Sequence, residues 1–155
     1  MERKYAEFAA TKACELLAID SPSGYTQKAA TWVKEAFEAL GFAAKITTKG
    51  GVLADLGGAD KDDALFLQAH TDSLGAMVAE VKANGRLKLT PLGGLRAENA
   101  ETENVRIHTR TGKIIEGTVQ LCNASVHVNG EYGEAKRTFD TVEAVLDEDV
   151  KTAED

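Results

Sequence analysis

Hydrophobic positions along this chain follow two periods, and the change from one to the other divides it. From Tyr5 to Leu17 the apolar residues Tyr5, Phe8, Ala9, Ala13, Leu16 and Leu17 recur at three- and four-residue steps, which puts them on one stripe of a helix. Ser21-Pro22-Ser23-Gly24 ends that pattern, because proline biases the residue before it away from helical dihedrals. The helical period resumes from about Thr26, a suitable N-cap, to Leu40, with Ala29, Ala30, Val33, Phe37 and Leu40 facing inward. Gly41 follows where a helix C-terminus favours a left-handed residue.

Beyond Gly41 the period shortens to two. Phe42 to Thr48 and Val52 to Leu56, joined by Lys49-Gly50-Gly51, predict a hairpin. Gly57-Gly58-Ala59-Asp60-Lys61 is a second loop. The apolar run Ala64 to Ala69, led in by Asp62 and Asp63, predicts a short strand buried on both faces. Past His70 the pattern is all β. Asn84-Gly85 between Ala76–Ala83 and Arg86–Thr90 is a strong hairpin signal. Val105–Thr109, Ile114–Leu121, Ala124–Val128 and Val142–Leu146 read as further strands, set apart by Pro91-Leu92-Gly93-Gly94-Leu95, Thr111-Gly112-Lys113 and Asn129-Gly130. Short strands at this spacing suggest a small β-barrel or sandwich. The chain therefore divides near residue 75, with an α/β layer before it and a mostly-β module after it. The α/β layer is too small to close an open sheet on both faces. Either its helices cover one side of a compact α+β domain, or the elements that complete it belong further on.

Candidate chemistry sits at that division. His70 and Asp72 are two residues apart, so a continuing strand puts both side chains on one side. They stand at the carboxyl end of the run, where open α/β sheets hold their ligands. An imidazole can bind a metal through one nitrogen, and a carboxylate two residues on can fix the ring or position a catalytic water. The same pair also suits a plain turn in which Asp72 caps backbone amides, and a His-x-Asp spacing alone is a weak motif. His108, in alternating Arg106-Ile107-His108-Thr109, reads as a surface or packing residue, and His127 is open to a role at a subunit contact. Residues 140–155 hold seven Asp and Glu; they read as a solvated face and not as a calcium loop, since the glycine at the sixth loop position is missing. Gly57-Gly58 and Gly93-Gly94 lack the Gly-Lys-Ser/Thr continuation of a phosphate cradle.

Composition narrows the classes. The 155 residues are 43% hydrophobic and 28% charged, ordinary for one soluble domain or slightly more. A net charge of -7 without a basic patch argues against nucleic acid as a partner. The apolar runs are too short to span a bilayer, and Met1 to Glu7 show no apolar core of a signal peptide. Cys14 and Cys122 lie far apart and imply no disulfide framework, which fits a cytoplasmic protein.

Several ordered motifs then give a resemblance. Ala69-His70-Thr71-Asp72-Ser73-Leu74-Gly75-Ala76-Met77-Val78 is followed by Asn84-Gly85-Arg86-Leu87 and Pro91-Leu92-Gly93-Gly94. Gly112-Lys113-Ile114-Ile115-Glu116-Gly117 and Val145-Leu146-Asp147 come next. This series resembles the glutamyl aminopeptidases and their tetrahedral (cellulase-like) aminopeptidase relatives, and Ser21-Pro22-Ser23-Gly24 matches the family's N-terminal turn. The resemblance covers essentially the whole chain. It implies a zinc-peptidase-like α/β catalytic domain with an inserted mostly-β, barrel-like domain. Residues 1–75 would be the N-terminal part of the catalytic domain, and residues 76–155 the inserted dimerisation or oligomerisation domain. It further implies two divalent metal ions, zinc or cobalt, peptide substrates shortened from their N-termini, and a homo-oligomer. In that family pattern His70 looks like the first metal ligand and Asp72 like the catalytic-site carboxylate that orients it. Ser73 stands where many members have Glu or Thr.

The family's bridging Asp, Glu-Glu pair, further acidic ligand and last His follow the insert, and this sequence ends at Asp155 before any of them. A catalytic zinc takes three protein ligands or more. The expectation is therefore the N-terminal half of a metal-dependent aminopeptidase, inactive as this chain alone. Two other readings compete. One is a related zinc carboxypeptidase or amidohydrolase, which shares His-x-Asp after a strand but inserts its dimerisation domain much later. The other is a non-enzymatic, self-associating β module whose α/β segment only buries hydrophobic surface.

Overall fold

The computed structural model describes residues 2–60 and 62–155; Lys61, in the expected loop at 57–61, and Met1 lie outside them. The chain forms two compact units, residues 1–74 and residues 75–155.

In the first unit the helical periods form helices where they were expected. Helix α1 runs Arg3–Leu17 and α2 runs Gln27–Ala39. Arg3–Glu7 and Lys34–Glu38 pair one turn apart on their solvent faces. Thr26 does precede α2, but its hydroxyl makes no cap; the residue contributes its carbonyl, which accepts from the Ala30 amide at 2.9 Å. At the other end Gly41 takes φ +88°, and the amides of Gly41 and Phe42 close the helix onto Glu38 and Phe37. Helix α2 buries Ala29 and Ala30, whereas α1 buries no residue and leaves Tyr5, Phe8 and Leu17 exposed. Strands β1 (Ala44–Ile46) and β2 (Val52–Ala54) make the expected hairpin, β1 shorter at both ends than the alternation suggested and β2 at its carboxyl end.

The run at 64–69 departs from expectation. It belongs to no strand, and Leu65, Phe66 and Leu67 are 84%, 70% and 75% exposed. The reason is a missing neighbour. A strand is defined by the ladder it makes, and apart from β1–β2 the described pairing in this unit is one isolated parallel bridge, Pro22↔Ser73. The run has the composition of a doubly covered strand without adjacent strands to cover it.

The second unit is a five-stranded antiparallel sheet. Its strands are β3 (Gly75–Val81), β4 (Leu87–Leu92), β5 (Asn104–His108), β6 (Ile114–Leu121) and β7 (Val142–Leu146), in the order β3-β4-β7-β6-β5. The last strand is thus the central one. Ala144 lies opposite Leu87 on one side and Val119 on the other, and is fully buried. Alternation along the strands collects Leu87, Leu89, Val119, Leu121, Val142 and Ala144 into the core, where the one-turn helix α3 (Ala97–Ala100) adds Ala97 and Ala100. Close approach of β6 to β7 requires Gly117, since a Cβ there would stand 2.5 Å from the Val145 carbonyl oxygen.

Two expectations fail in this unit. Ala124–Val128 is a series of turns, with Val126 and Val128 60% and 80% exposed. The segment at 122–141 satisfies its polar groups locally. The Val128 and Asn129 amides donate to the Ser125 carbonyl, and Arg137 donates to the carbonyls of Tyr132 and Ala135 while its Nε meets Glu101 Oε2 at 2.7 Å. The second failure is Glu143, read as part of a solvated acidic face. It is 2% exposed, with Oε1 2.6 Å from Arg86 Nη1 and Oε2 2.6 Å from Lys82 Nζ. The face of β7 opposite Ala144 is covered at Glu143 by the two cations that flank the Asn84-Gly85 turn.

Burial pushes the Glu143 carboxyl up, but the hydrogen bonds and charges of Lys82 and Arg86 outweigh it and hold the group below its ordinary value. A carboxyl lowered on folding stabilises above its unfolded pKa and loses that contribution as pH falls through its folded pKa. Glu143→Gln is expected to cost about 2 kcal/mol at pH 7, the scale of hydrogen bonds to a charged group. Urea unfolding should show the gap between wild type and variant closing below about pH 4, since an ordinary glutamate titrates near 4.3. A second expectation concerns the unpaired run: amide exchange at 65–69 should be as fast as in an unstructured peptide, while the Val119 and Ala144 amides are strongly protected.

Candidate metal centre

The site grows from the one bridge that ties residues 71–73 to the turn after α1. The Ser73 amide donates to the Ser21 carbonyl at 2.9 Å, and Ser21 Oγ donates to the Thr71 carbonyl at 3.1 Å. Ser21 is 2% exposed, so both bonds are shielded from water. Pro22 leads the chain out of helical dihedrals, and this extended stretch carries Ser23 alongside Asp72.

Asp72 is bound at both carboxylate oxygens. Ser23 Oγ donates to Oδ2 at 2.6 Å, and His70 Nδ1 lies 3.0 Å from Oδ1 and 3.2 Å from the Asp72 carbonyl. The expected pair is therefore in contact, although residues 70–72 belong to no strand. Both groups facing Nδ1 are acceptors at neutral pH, so that nitrogen must carry the proton. In the neutral ring with its proton there, Nε2 offers a lone pair, and the His70 side chain is 85% exposed. A histidine that donates from one ring nitrogen to a carboxylate while offering the other is the usual arrangement of a metal-bound imidazole. The Ser23 hydroxyl, and after it the His70 imidazole, hold the Asp72 carboxyl below the usual aspartate range.

These residues fit one ligand of a metal site together with its orienting carboxylate. They do not complete a site: among the described residues no group of three or more His, Cys, Asp or Glu lies together in a way that could hold a metal ion. His108 is on β5 and His127 in the exposed turns at 126–128, both in the second unit. An open cleft of about 440 Å³ in the first unit is lined by Ile19, Gln27, Lys28, Thr31, Trp32 and Glu35, with neither His70 nor Asp72 among them. The residue that the sequence reading passed over is Ser23. Its only signal was membership of the Ser-Pro-Ser-Gly turn, whose partner lies 49 residues further on.

Comparison with known proteins bears on the whole chain. The family model for M42 glutamyl aminopeptidases matches residues 50–155. YhfE of Bacillus subtilis (strain 168), whose name calls it an aminopeptidase, is 38% identical over 141 residues, which are 91% of this chain and 41% of that protein. The chain thus spans well under half the length of this curated relative. The crystal structure of a TET aminopeptidase from Thaumarchaeota archaeon SCGC AB-539-E09 superposes with a TM-score of 0.73 at 20% identity, covering 94% of this chain and 40% of that one. A second structure, PhTET1-12s, titled as a dodecamer in its asymmetric unit, gives a TM-score of 0.70 at 17% identity over 91% of this chain and 40% of that one. At such identities the two structures establish a shared fold.

The Asp72 carboxyl should titrate below the ordinary aspartate value of about 3.9. Carbon-detected NMR of its side-chain carboxyl reads this directly, and a midpoint at or above that value would contradict the bonds from Ser23 and His70.

Proposed function

Because the chain belongs to the M42 glutamyl aminopeptidase family, we propose that it is the N-terminal part of a metal-dependent aminopeptidase that hydrolyses N-terminal residues from peptides. The observation that carries this reading is His70, whose Nδ1 is engaged by Asp72 and whose Nε2 is free and exposed. In the complete protein His70 would be a metal ligand through Nε2. Asp72 would be the catalytic-site carboxylate that sets the ring. Two divalent ions, zinc or cobalt, would supply Lewis-acid polarisation of the scissile carbonyl and a lowered pKa for the attacking water. The chain's own part is narrower. Asp72 would accept a hydrogen bond from Nδ1–H, leave Nε2 free for the metal and hold the ring plane.

The same reading accounts for the unpaired run at 64–69. In a zinc-peptidase-like catalytic domain it would be a strand covered by strands supplied from outside the described residues, as would the remaining ligands. Residues 76–155 would be the inserted, barrel-like domain through which copies associate. Among the described residues no helix is long and apolar enough to cross a membrane, which is compatible with action in the cytoplasm.

Three measurements test this. Cobalt(II) added to the purified chain should broaden the His70 ring signals, and His70→Ala should abolish the effect on that site; cobalt that leaves His70 untouched would count against a ligand role. Release of N-terminal residues from aminoacyl anilides should stay at the uncatalysed rate with zinc or cobalt present, because one imidazole falls short of the three ligands of a catalytic zinc. A metal-dependent rate would show that this chain needs no further ligands. Light scattering should give at least twice the 16.5 kDa of one chain; a monomer would exclude association through this part alone.

A further inference from the structure

Three features single out the turn after α1. His70 is 85% exposed, so packing does not hold its ring. Residues 64–69 belong to no strand, so no ladder on their side fixes the backbone that leads into it. The bonds that do hold the site come from Ser21, Pro22 and Ser23: the Pro22↔Ser73 bridge, the Ser73 amide on the Ser21 carbonyl, Ser21 Oγ on the Thr71 carbonyl, and Ser23 Oγ on Asp72 Oδ2. Ser21 fixes the backbone of the site, and Ser23 reaches its functional side chain.

We propose that Ser23 is a positioning residue for the metal centre: by anchoring Asp72 Oδ2 it keeps Oδ1 turned to His70 Nδ1 and so keeps the metal-binding nitrogen Nε2 free of its proton. This rests on the proposed role of His70 as a ligand. The physical argument is one of competition between tautomers. A neutral imidazole in water favours the Nε2–H form, which blocks the nitrogen on offer here. Two acceptors converge on Nδ1, the Asp72 carbonyl at 3.2 Å and Oδ1 at 3.0 Å. The carboxylate is the stronger acceptor, since hydrogen bonds to a charged group exceed neutral ones. Its plane, however, turns freely unless its other oxygen is held. Ser23 holds it at 2.6 Å, from a segment pinned by the buried Ser21. The outer partners of metal-binding histidines act in this way, by fixing tautomer and ring orientation.

The test reads the tautomer without any metal. Long-range ¹H–¹⁵N spectra of the ¹⁵N-labelled 155-residue chain at pH 8, above the ordinary imidazole range, separate Nδ1–H from Nε2–H at each histidine. In wild type His70 should be mainly Nδ1–H. In Ser23→Ala it should become mainly Nε2–H, with His108 and His127 unchanged. Ser23→Thr keeps the hydroxyl and should restore the wild-type ratio. Restoration separates loss of the hydrogen bond from collapse of the turn, which the Ser73 amide signal also reports. An Nε2–H majority in wild type, an unchanged ratio in Ser23→Ala, or no restoration in Ser23→Thr would each overturn the proposal. Cobalt(II) titration on the same resonances is a separate arm, in which Ser23→Ala should weaken the effect at His70 about tenfold. If the tautomer follows Ser23 but cobalt never perturbs His70 even in wild type, the ligand reading fails, and what stands is control of the His70 tautomer by Ser23 without a metal role.

Discussion

The constraint that governs this chain is that an extended segment needs a neighbour to hydrogen-bond with. Buried backbone amides and carbonyls must be paired, and a strand acquires its identity from the ladder beside it. In residues 75–155 the central strand is the last to arrive: β7 inserts between β4 and β6. Its Ala144 then joins Leu87 and Val119 in one line across the sheet. In residues 1–74 the apolar run at 64–69 has no strand partner among the described residues, and Leu65, Phe66 and Leu67 are exposed.

Placing β7 in the centre explains why an acidic residue is buried there. Val142, Glu143 and Ala144 are all buried, so both faces of β7 are covered here and Glu143 has lost its water. Leaving a carboxylate in such a place without partners would cost far more than folding could return. Lys82 and Arg86 meet one oxygen each at 2.6 Å and remain about one-third exposed themselves, so their own desolvation is partial. The pair of cations comes from the two ends of the β3–β4 turn, which ties the first hairpin of the sheet to its last strand. Arg137 plays a comparable part for the segment at 122–141, with Glu101 and the carbonyls of Tyr132 and Ala135 as its acceptors.

Periodicity revealed what depends on local pattern. Both helices, the Asn84-Gly85 hairpin, β6 and β7 lie where spacing and turn residues put them, since a 3.6 or 2.0 period and a glycine at positive φ are properties of neighbouring residues. It failed where the outcome depends on a distant partner. Residues 64–69 have strand composition but no ladder, and Ala124–Val128 alternates well enough yet spends its hydrogen bonds on turns. Glu143 looked like one acid among seven because burial of a side chain is set by strand order, which no local window contains. At the site, the contact of His70 with Asp72 was legible from their spacing, while the roles of ligand and orienting carboxylate are what the family resemblance implies. Ser23 was not, because its bond to Asp72 spans 49 residues.

These two kinds of information divide the labour at the site itself. On the proposed reading, the tautomer of His70 follows from bonds made among residues 21–23 and 70–73. The position of the imidazole relative to any second ligand is a different matter, since it follows from the register and twist of the strand leading into it, and a strand takes its register from its neighbours. A metal ligand can therefore be chemically prepared before it is geometrically placed. On the proposed reading the turn after α1 would do the first, and pairing of the run at 64–69 the second. Substitutions at Ser23 and at Leu65 or Leu67 should then act on separable properties, the former on which nitrogen is free and the latter on where that nitrogen stands.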